Sequence, residues 1–206
     1  MTHFATTGIT FLNNCKKMPT TAQSSLLIYD CIESPLGTLL MAAVEQGVCL
    51  LEFEGTSGRA EQQMQILAKE LGSDPVEGQH PHLAQLHAEL RAFFSGKRAE
   101  FDVPLVFIGT DFQKSVWQEL LRIPYGTTRS YKQQALALNA PLAIRAVAGA
   151  NGRNPIAIVV PCHRVIGGTG SLTGYGGGLW RKQWLLELER DSGLAVPEPG
   201  GQLSLL

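Results

Sequence analysis

Three apolar stretches open the pattern of the chain: Leu26 to Tyr29, Thr38 to Val44 and Val48 to Phe53. Ser34-Pro35-Leu36-Gly37 and Gln46-Gly47 interrupt them. Breaks at such short intervals predict an antiparallel hairpin or meander. The period then lengthens. Residues 59–72 set Ala60, Met64, Leu67 and Leu71 on one face of a helix that Gly72 ends. Beyond a polar loop holding Pro75, Gly78 and Pro81, a second helix runs from about Leu83 to Phe94 and stops at Gly96. The expectation for 26–104 is an α+β domain with a small antiparallel sheet.

Pro104 to Thr110 reads as a joint, and the domain expected over 105–191 is mostly helical. Asp111 to Ile123 carries Phe112, Val116, Leu120 and Ile123 on one side, with Thr110 as N-cap and Pro124-Tyr125-Gly126 as terminator. Ser130-Tyr131-Lys132-Gln133 has the capping-box pattern and opens a short helix to Leu138. Asn139-Ala140-Pro141 turns the chain into an Ala-rich helix, Leu142 to Ala150, that carries Arg145. Two short helices so joined fit a helix-turn-helix, and equally an αα-hairpin with no nucleic-acid role. A last helix is expected from about Gly178 to Arg190. Residues 1–25, rich in Thr, Ser and Asn, read as a loose leader in which Met18 is a candidate second start. Residues 192–206 read as a flexible tail.

Charge changes the picture. Residues 1–104 carry 7 basic and 12 acidic side chains, net −5, whereas 105–191 carry 10 basic and 5 acidic, net +5. A cationic half within a chain of net charge −1 points to a surface that meets a polyanion. No apolar run approaches the ~18 residues that cross a bilayer. The N-terminus lacks the basic-then-apolar order of a secretion signal. Cys15, Cys31, Cys49 and Cys162 show no paired spacing, so reduced thiols in the cytoplasm are expected.

The chemistry concentrates in Asn154-Pro155-Ile156-Ala157-Ile158-Val159-Val160-Pro161-Cys162-His163-Arg164-Val165. The apolar run reads as a buried segment, and Pro161 ends any strand ladder. Cys162 then stands at the edge of a core with His163 and Arg164 beside it. A neighbouring base and cations are expected to lower the thiol pKa and yield a nucleophile. The alternative is a small buried hydrophobe. His80, His82 and His87 read as surface residues, since no zinc-like spacing joins them to Cys162.

Pro161-Cys162-His163-Arg164-Val165 resembles the active-site motif of the O6-alkylguanine-DNA alkyltransferases. Arg153-Asn154-Pro155, Gly174-Tyr175-Gly176-Gly177-Gly178-Leu179, Lys182 and Trp184-Leu185-Leu186 agree with it, as do Ser130-Tyr131 and Ile144-Arg145-Ala146-Val147. The match is strong over about 105–190 and weaker over 26–104, where Ser34-Pro35-Leu36-Gly37 and Phe101-Asp102-Val103-Pro104-Leu105 are reminiscent of the family's N-terminal domain.

The resemblance implies a DNA repair protein that acts once, moving an alkyl group from O6-alkylguanine, or O4-alkylthymine, onto Cys162. His163 would take the thiol proton through a water, and Glu189 would orient His163. Tyr131 would hydrogen-bond a ring nitrogen of the departing guanine and press on the backbone phosphate. Asn154 would tie the helix pair to the active-site turn. Arg145 would fill the stack vacated by the flipped base, with Ser130 and Ala146 also on the DNA. Tyr175 would wall the pocket, the Cys162 and Val165 carbonyls would accept from the guanine amino group, and the Gly176 amide would donate to O6. A serine is common at this last position in the family, so no hydroxyl is available here. The resemblance implies no cofactor and no metal. It implies a monomer whose partner is double-stranded DNA containing alkylated guanine.

Three rivals have distinct signatures. Alkyltransferase-like sensors of lesions lack the nucleophilic cysteine, which is present here. Regulators of the same family carry an extra metal-binding cysteine domain, for which Cys15, Cys31 and Cys49 are too few and wrongly spaced. A thiol hydrolase using Cys162, His163 and Glu189 would turn over and would need no cationic helix pair.

Overall fold

Strand β3 (Gly47–Phe53) is buried at every position, as is β2 (Leu39–Val44) beside it. β1 (Leu27–Ile32) continues the antiparallel meander on the other side of β2. The computed structural model describes residues 26–55 and 58–194, so the expected leader and most of the expected tail lie outside the described residues. The sheet departs from the expected antiparallel form at one edge. Pro75–Glu77, expected as loop, is a fourth strand β4 that pairs parallel with β1. Three residues, two of them exposed, are too few to carry a period of two.

Helix α1 (Arg59–Leu71) covers one face of the sheet through Ala60, Met64 and Leu67, packed on Leu27, Leu40 and Leu50. Gly72 ends it in the left-handed conformation (φ 61°), where a Cβ is disfavoured. The other face receives helix α2 (Pro81–Phe94) and the second unit together. Phe53, Leu86, Leu90, Phe93, Val116, Trp117 and Val160 share one core. His80, which carries no signal of a role in the sequence, is structural: its Nδ1 accepts from the His82 amide at 3.2 Å and caps α2.

The second unit begins after residues 104–106, which lie along the free edge of β3: Val48 N–H donates to Pro104 O, and Val106 N–H to Val48 O. Helix α3 (Asp111–Leu120) opens with the expected Thr110 cap, completed by Gln113. Phe112, expected on the buried side, is 40% exposed, while Val116 and Leu120 are fully covered. β5 (Arg129–Ser130) leads into α4 (Tyr131–Ala137), again with a complete capping box. Helix α5 (Ile144–Gly152) starts two residues later than expected, leaving Leu142 in the turn and 99% exposed. Gln134 and Asn151 lock α4 to α5 with two buried amide hydrogen bonds of 3.0 and 2.6 Å. Trp117 Nε1 donates to Ala150 O at 2.9 Å and ties α5 to α3. β6 (Val165–Ile166) pairs parallel with β5, and α6 (Leu179–Asp191) closes the unit.

Candidate active site

The segment before the cysteine is buried as expected, but it is a series of turns and no strand. Ile158 takes φ 70°, a conformation that a β-branched side chain adopts only under constraint. Two anchors supply the constraint. Leu51 in β3 donates its N–H to Pro155 O (2.9 Å) and accepts from Ala157 N–H (2.7 Å). Asn154, just beyond α5, donates from Nδ2 to Val160 O (2.8 Å) and accepts at Oδ1 from Ile156 N–H (3.1 Å). The same Nδ2 lies 3.1 Å from Cys162 Sγ. Asn154 thus stands just after helix α5 with its side chain on both the turn and the thiol. Cys162 opens a 3-10 turn, Cys162–Arg164, and is 8% exposed.

His163 is fully buried, with Nε2 2.7 Å from Glu189 Oε1 on α6. Arg164, for which the motif implied no separate role, closes the arrangement. Its Nε and Nη2 donate to the Glu189 carboxylate at 3.0–3.1 Å, and its Nη1 donates to Ile123 O at 2.7 Å. The Gly126 amide adds a further donor to Glu189 at 3.0 Å. Burial pushes the Glu189 acid up, but the facing His163 and Arg164 outweigh it and hold the pKa at about 2. Burial depresses the His163 pKa, against the pull of Glu189. A neutral imidazole donating Nε2–H to an ionised carboxylate presents a bare lone pair at Nδ1. Nδ1 is buried and has no hydrogen-bond partner among the described residues. It is the nitrogen suited to receive a proton.

The Cys162 thiol departs from expectation. Burial raises its pKa, and Glu52 adds to this, while Asn154, Arg59 and Lys182 offset only part. At rest the group is a thiol, and reactivity requires a base to take its proton.

Around the thiol, Tyr131 begins α4 and donates from its hydroxyl to Thr173 O (3.2 Å) and Gly174 O (3.3 Å). Tyr175 stands edge-on to His163, ring centroids 6.5 Å apart, and edge-on to Phe53 at 6.4 Å. Val165 O, expected to receive a guanine amino group, already accepts from Lys182 Nζ at 2.5 Å. One carbonyl lone pair remains. Lys182, which is fully buried, also reaches Thr173 O at 2.8 Å, and burial lowers its pKa to about 8. Lys182, Leu185 and Glu189 lie on one face of α6, a spacing legible in the sequence. A further unforeseen residue is Arg59 of α1, beside Gly176. Arg181 donates to Leu36 O and Gly177 O (2.8 and 2.7 Å), so α6 grips both units.

Of the expected DNA residues, Tyr131 belongs to this cluster. Arg145 and Ala146, in the first turn of α5, are exposed. The Ser130 hydroxyl accepts from Gln133 N–H at 3.2 Å as the cap of α4, so its first role is structural.

A buried cysteine followed by an imidazole–carboxylate pair, in a unit that also carries two short helices bearing Lys132 and Arg145, fits a cysteine-nucleophile transferase. The 6-O-methylguanine DNA methyltransferase family matches over both units: its ribonuclease-like domain over residues 27–107 and its DNA binding domain over 111–191. The methylated-DNA--protein-cysteine methyltransferase of Methanosarcina barkeri is 46% identical over 166 residues, 81% of this chain and 99% of its own. The crystal structure of Mycobacterium tuberculosis O6-methylguanine methyltransferase is 45% identical, with TM-score 0.69 over 82% of this chain and 96% of that one. A Mycobacterium tuberculosis OGT structure in complex with DNA aligns with TM-score 0.68 over 80% of this chain and 94% of that one, at 45% identity. The chain belongs to the 6-O-methylguanine DNA methyltransferase family.

Proposed function

We propose that this protein repairs O6-alkylguanine in double-stranded DNA by moving the alkyl group irreversibly to Cys162. The observation that carries this is the buried His163–Glu189 pair, braced by Arg164 and directly following Cys162 in the chain, in a chain of this family.

The thiol proton passes to His163 Nδ1 through a water. The sulfur attacks the alkyl carbon in line, the carbon–O6 bond breaks, and its electron pair goes to the purine. The proton lost by the thiol is balanced by the one the guanine takes up. Tyr131 supplies the hydrogen bond at the ring nitrogen that makes guanine a better leaving group. A thioether has no good leaving group, so each chain acts once.

The target base lies inside the stack and must be extruded, at a cost of a few kcal/mol. Helices α4 and α5 act as a helix-turn-helix, Arg145 fills the vacated stack, and Ala146 lets the α5 backbone approach the groove. Tyr175, Val165 O and the Gly176 amide hold the extruded base. The protein works as a monomer, and the free thiols Cys31, Cys49 and Cys162 support a reducing, cytoplasmic setting.

Titration of a fixed amount of protein with excess O6-methylguanine duplex tests the single use. Product should rise to one guanine per chain and stop. Continued turnover would mark a thiol hydrolase, and binding without product would mark a lesion sensor.

A further inference from the structure

The N-terminal unit shows no chemical motif in its sequence, yet one of its side chains reaches the loop that walls the pocket. Arg59 opens α1, and its Nε donates to Glu52 Oε2 of β3 at 2.5 Å. Glu52 is 1% exposed, an unusual setting for a carboxylate unless it is paired. Arg59 Nη2 crosses to the other unit and donates to Asn154 O at 3.1 Å. Asn154 is the residue whose amide lies 3.1 Å from the Cys162 sulfur.

Gly176 explains why the guanidinium can be there. A Cβ built on Gly176 would lie 2.9 Å from Arg59 Cζ and Nε and 3.3 Å from Nη1. The end of an arginine normally swings aside, but this one is anchored at both Glu52 and Asn154. The guanidinium therefore occupies the space that a side chain at 176 would take. The neighbouring Gly177 is equally confined, since a Cβ there would lie 2.6 Å from the Phe53 ring. The pocket loop is fitted onto the end of β3.

We propose that Arg59 is a positioning residue of the alkyl-transfer site, supplied by the N-terminal unit in place of a side chain at 176. Anchored by Glu52, it braces the loop at Gly176 and the Asn154 hinge. This role rests on the repair function proposed for Cys162. The N-terminal unit is then a working part of the site, because the guanidinium anchored on Glu52 holds the loop that presents the Gly176 amide.

The test is a cycle of three variants, Arg59→Ala, Gly176→Ser and the double variant, measured with free O6-benzylguanine, which needs no DNA contact. The end-point amplitude of Cys162 alkylation counts folded, competent chains, and the rate constant reports on the site in those chains alone. Arg59→Ala should slow alkylation by about tenfold or more, the scale of a charged hydrogen bond. Gly176→Ser should also slow it, because its Cβ displaces the guanidinium. In the double variant the serine takes the emptied space and supplies a donor, so much of the rate should return. A general loss of structure would give two independent losses that add. Additive losses, or Arg59→Ala reacting at the wild-type rate, overturn the Arg59 role and leave the repair function intact. A wild-type protein that takes neither this benzyl group nor a methyl group from O6-methylguanine duplex overturns both.

Discussion

Glu189 and Arg164 share a carboxylate–guanidinium pair at 3.0 Å, and His163 meets the same carboxylate at 2.7 Å. The arginine next to His163 in sequence thus joins the imidazole in holding the Glu189 carboxylate ionised. With its own permanent counter-ion, Glu189 stays ionised while His163 stays neutral.

Glu189→Gln removes that charge and leaves Arg164 buried and uncompensated. Breaking a buried pair from one side costs about 3–5 kcal/mol. Chemical denaturation at neutral pH should show a loss of this order, and alkyl transfer should slow in the chains that remain folded.

The same group sets an acid limit. Its folded pKa of about 2 lies below the ordinary value of 4.5 for this side chain. Its contribution to stability is therefore complete above 4.5 and is lost as pH falls toward 2. Thermal midpoints followed across that window should fall more steeply for the wild type than for Glu189→Gln. Parallel curves would remove Glu189 from the acid transition.

The depressed pKa of His163 predicts a base that works below the usual imidazole range. Single-turnover alkylation by O6-benzylguanine should stay level as pH falls through 6.5, the value of an unperturbed histidine, and decline only further down. A half-maximal rate at or above 6.5 would contradict this.

Tyr131→Phe keeps the ring and removes the hydroxyl that bonds Thr173 O and Gly174 O. The fold should persist, and transfer should slow by roughly 10²-fold, the lower range for loss of general-acid assistance. Because the leaving group is the same purine, free base and duplex substrates should be affected alike.

Arg145→Ala should do the opposite. Arg145 is exposed in the first turn of α5 and is assigned to base extrusion alone, so reaction with free O6-benzylguanine should be unchanged while repair of duplex DNA falls. Equal losses on both substrates would remove Arg145 from base extrusion.

Legibility in the sequence follows local chemistry. Thr110 and Ser130 announce their helices because a cap and its partner three residues on form a signal within a single turn. Strand β4 is silent because a three-residue parallel edge depends on its pairing with β1, far back in the chain, rather than on its own pattern. The Cys162 motif marks the site, but not its wiring. Arg59 meets Asn154 across 95 residues and Arg164 meets Glu189 across 25. The direction of the Cys162 shift runs against the sequence expectation, since adjacent cations are visible in sequence whereas burial is visible only in the fold. Lys182 does carry a signal: a lysine on the buried face of an amphipathic helix must find acceptors, and it finds Val165, Thr173 and Gly174.

Peptide mapping by mass spectrometry, after incubation with duplex DNA carrying a single O6-methylguanine, addresses the central claim most directly. One methyl group is predicted on the peptide containing Cys162, and none on any peptide of Cys162→Ser under the same conditions. A methyl group found on Cys31 or Cys49, or an unmodified Cys162 beside repaired DNA, would contradict it.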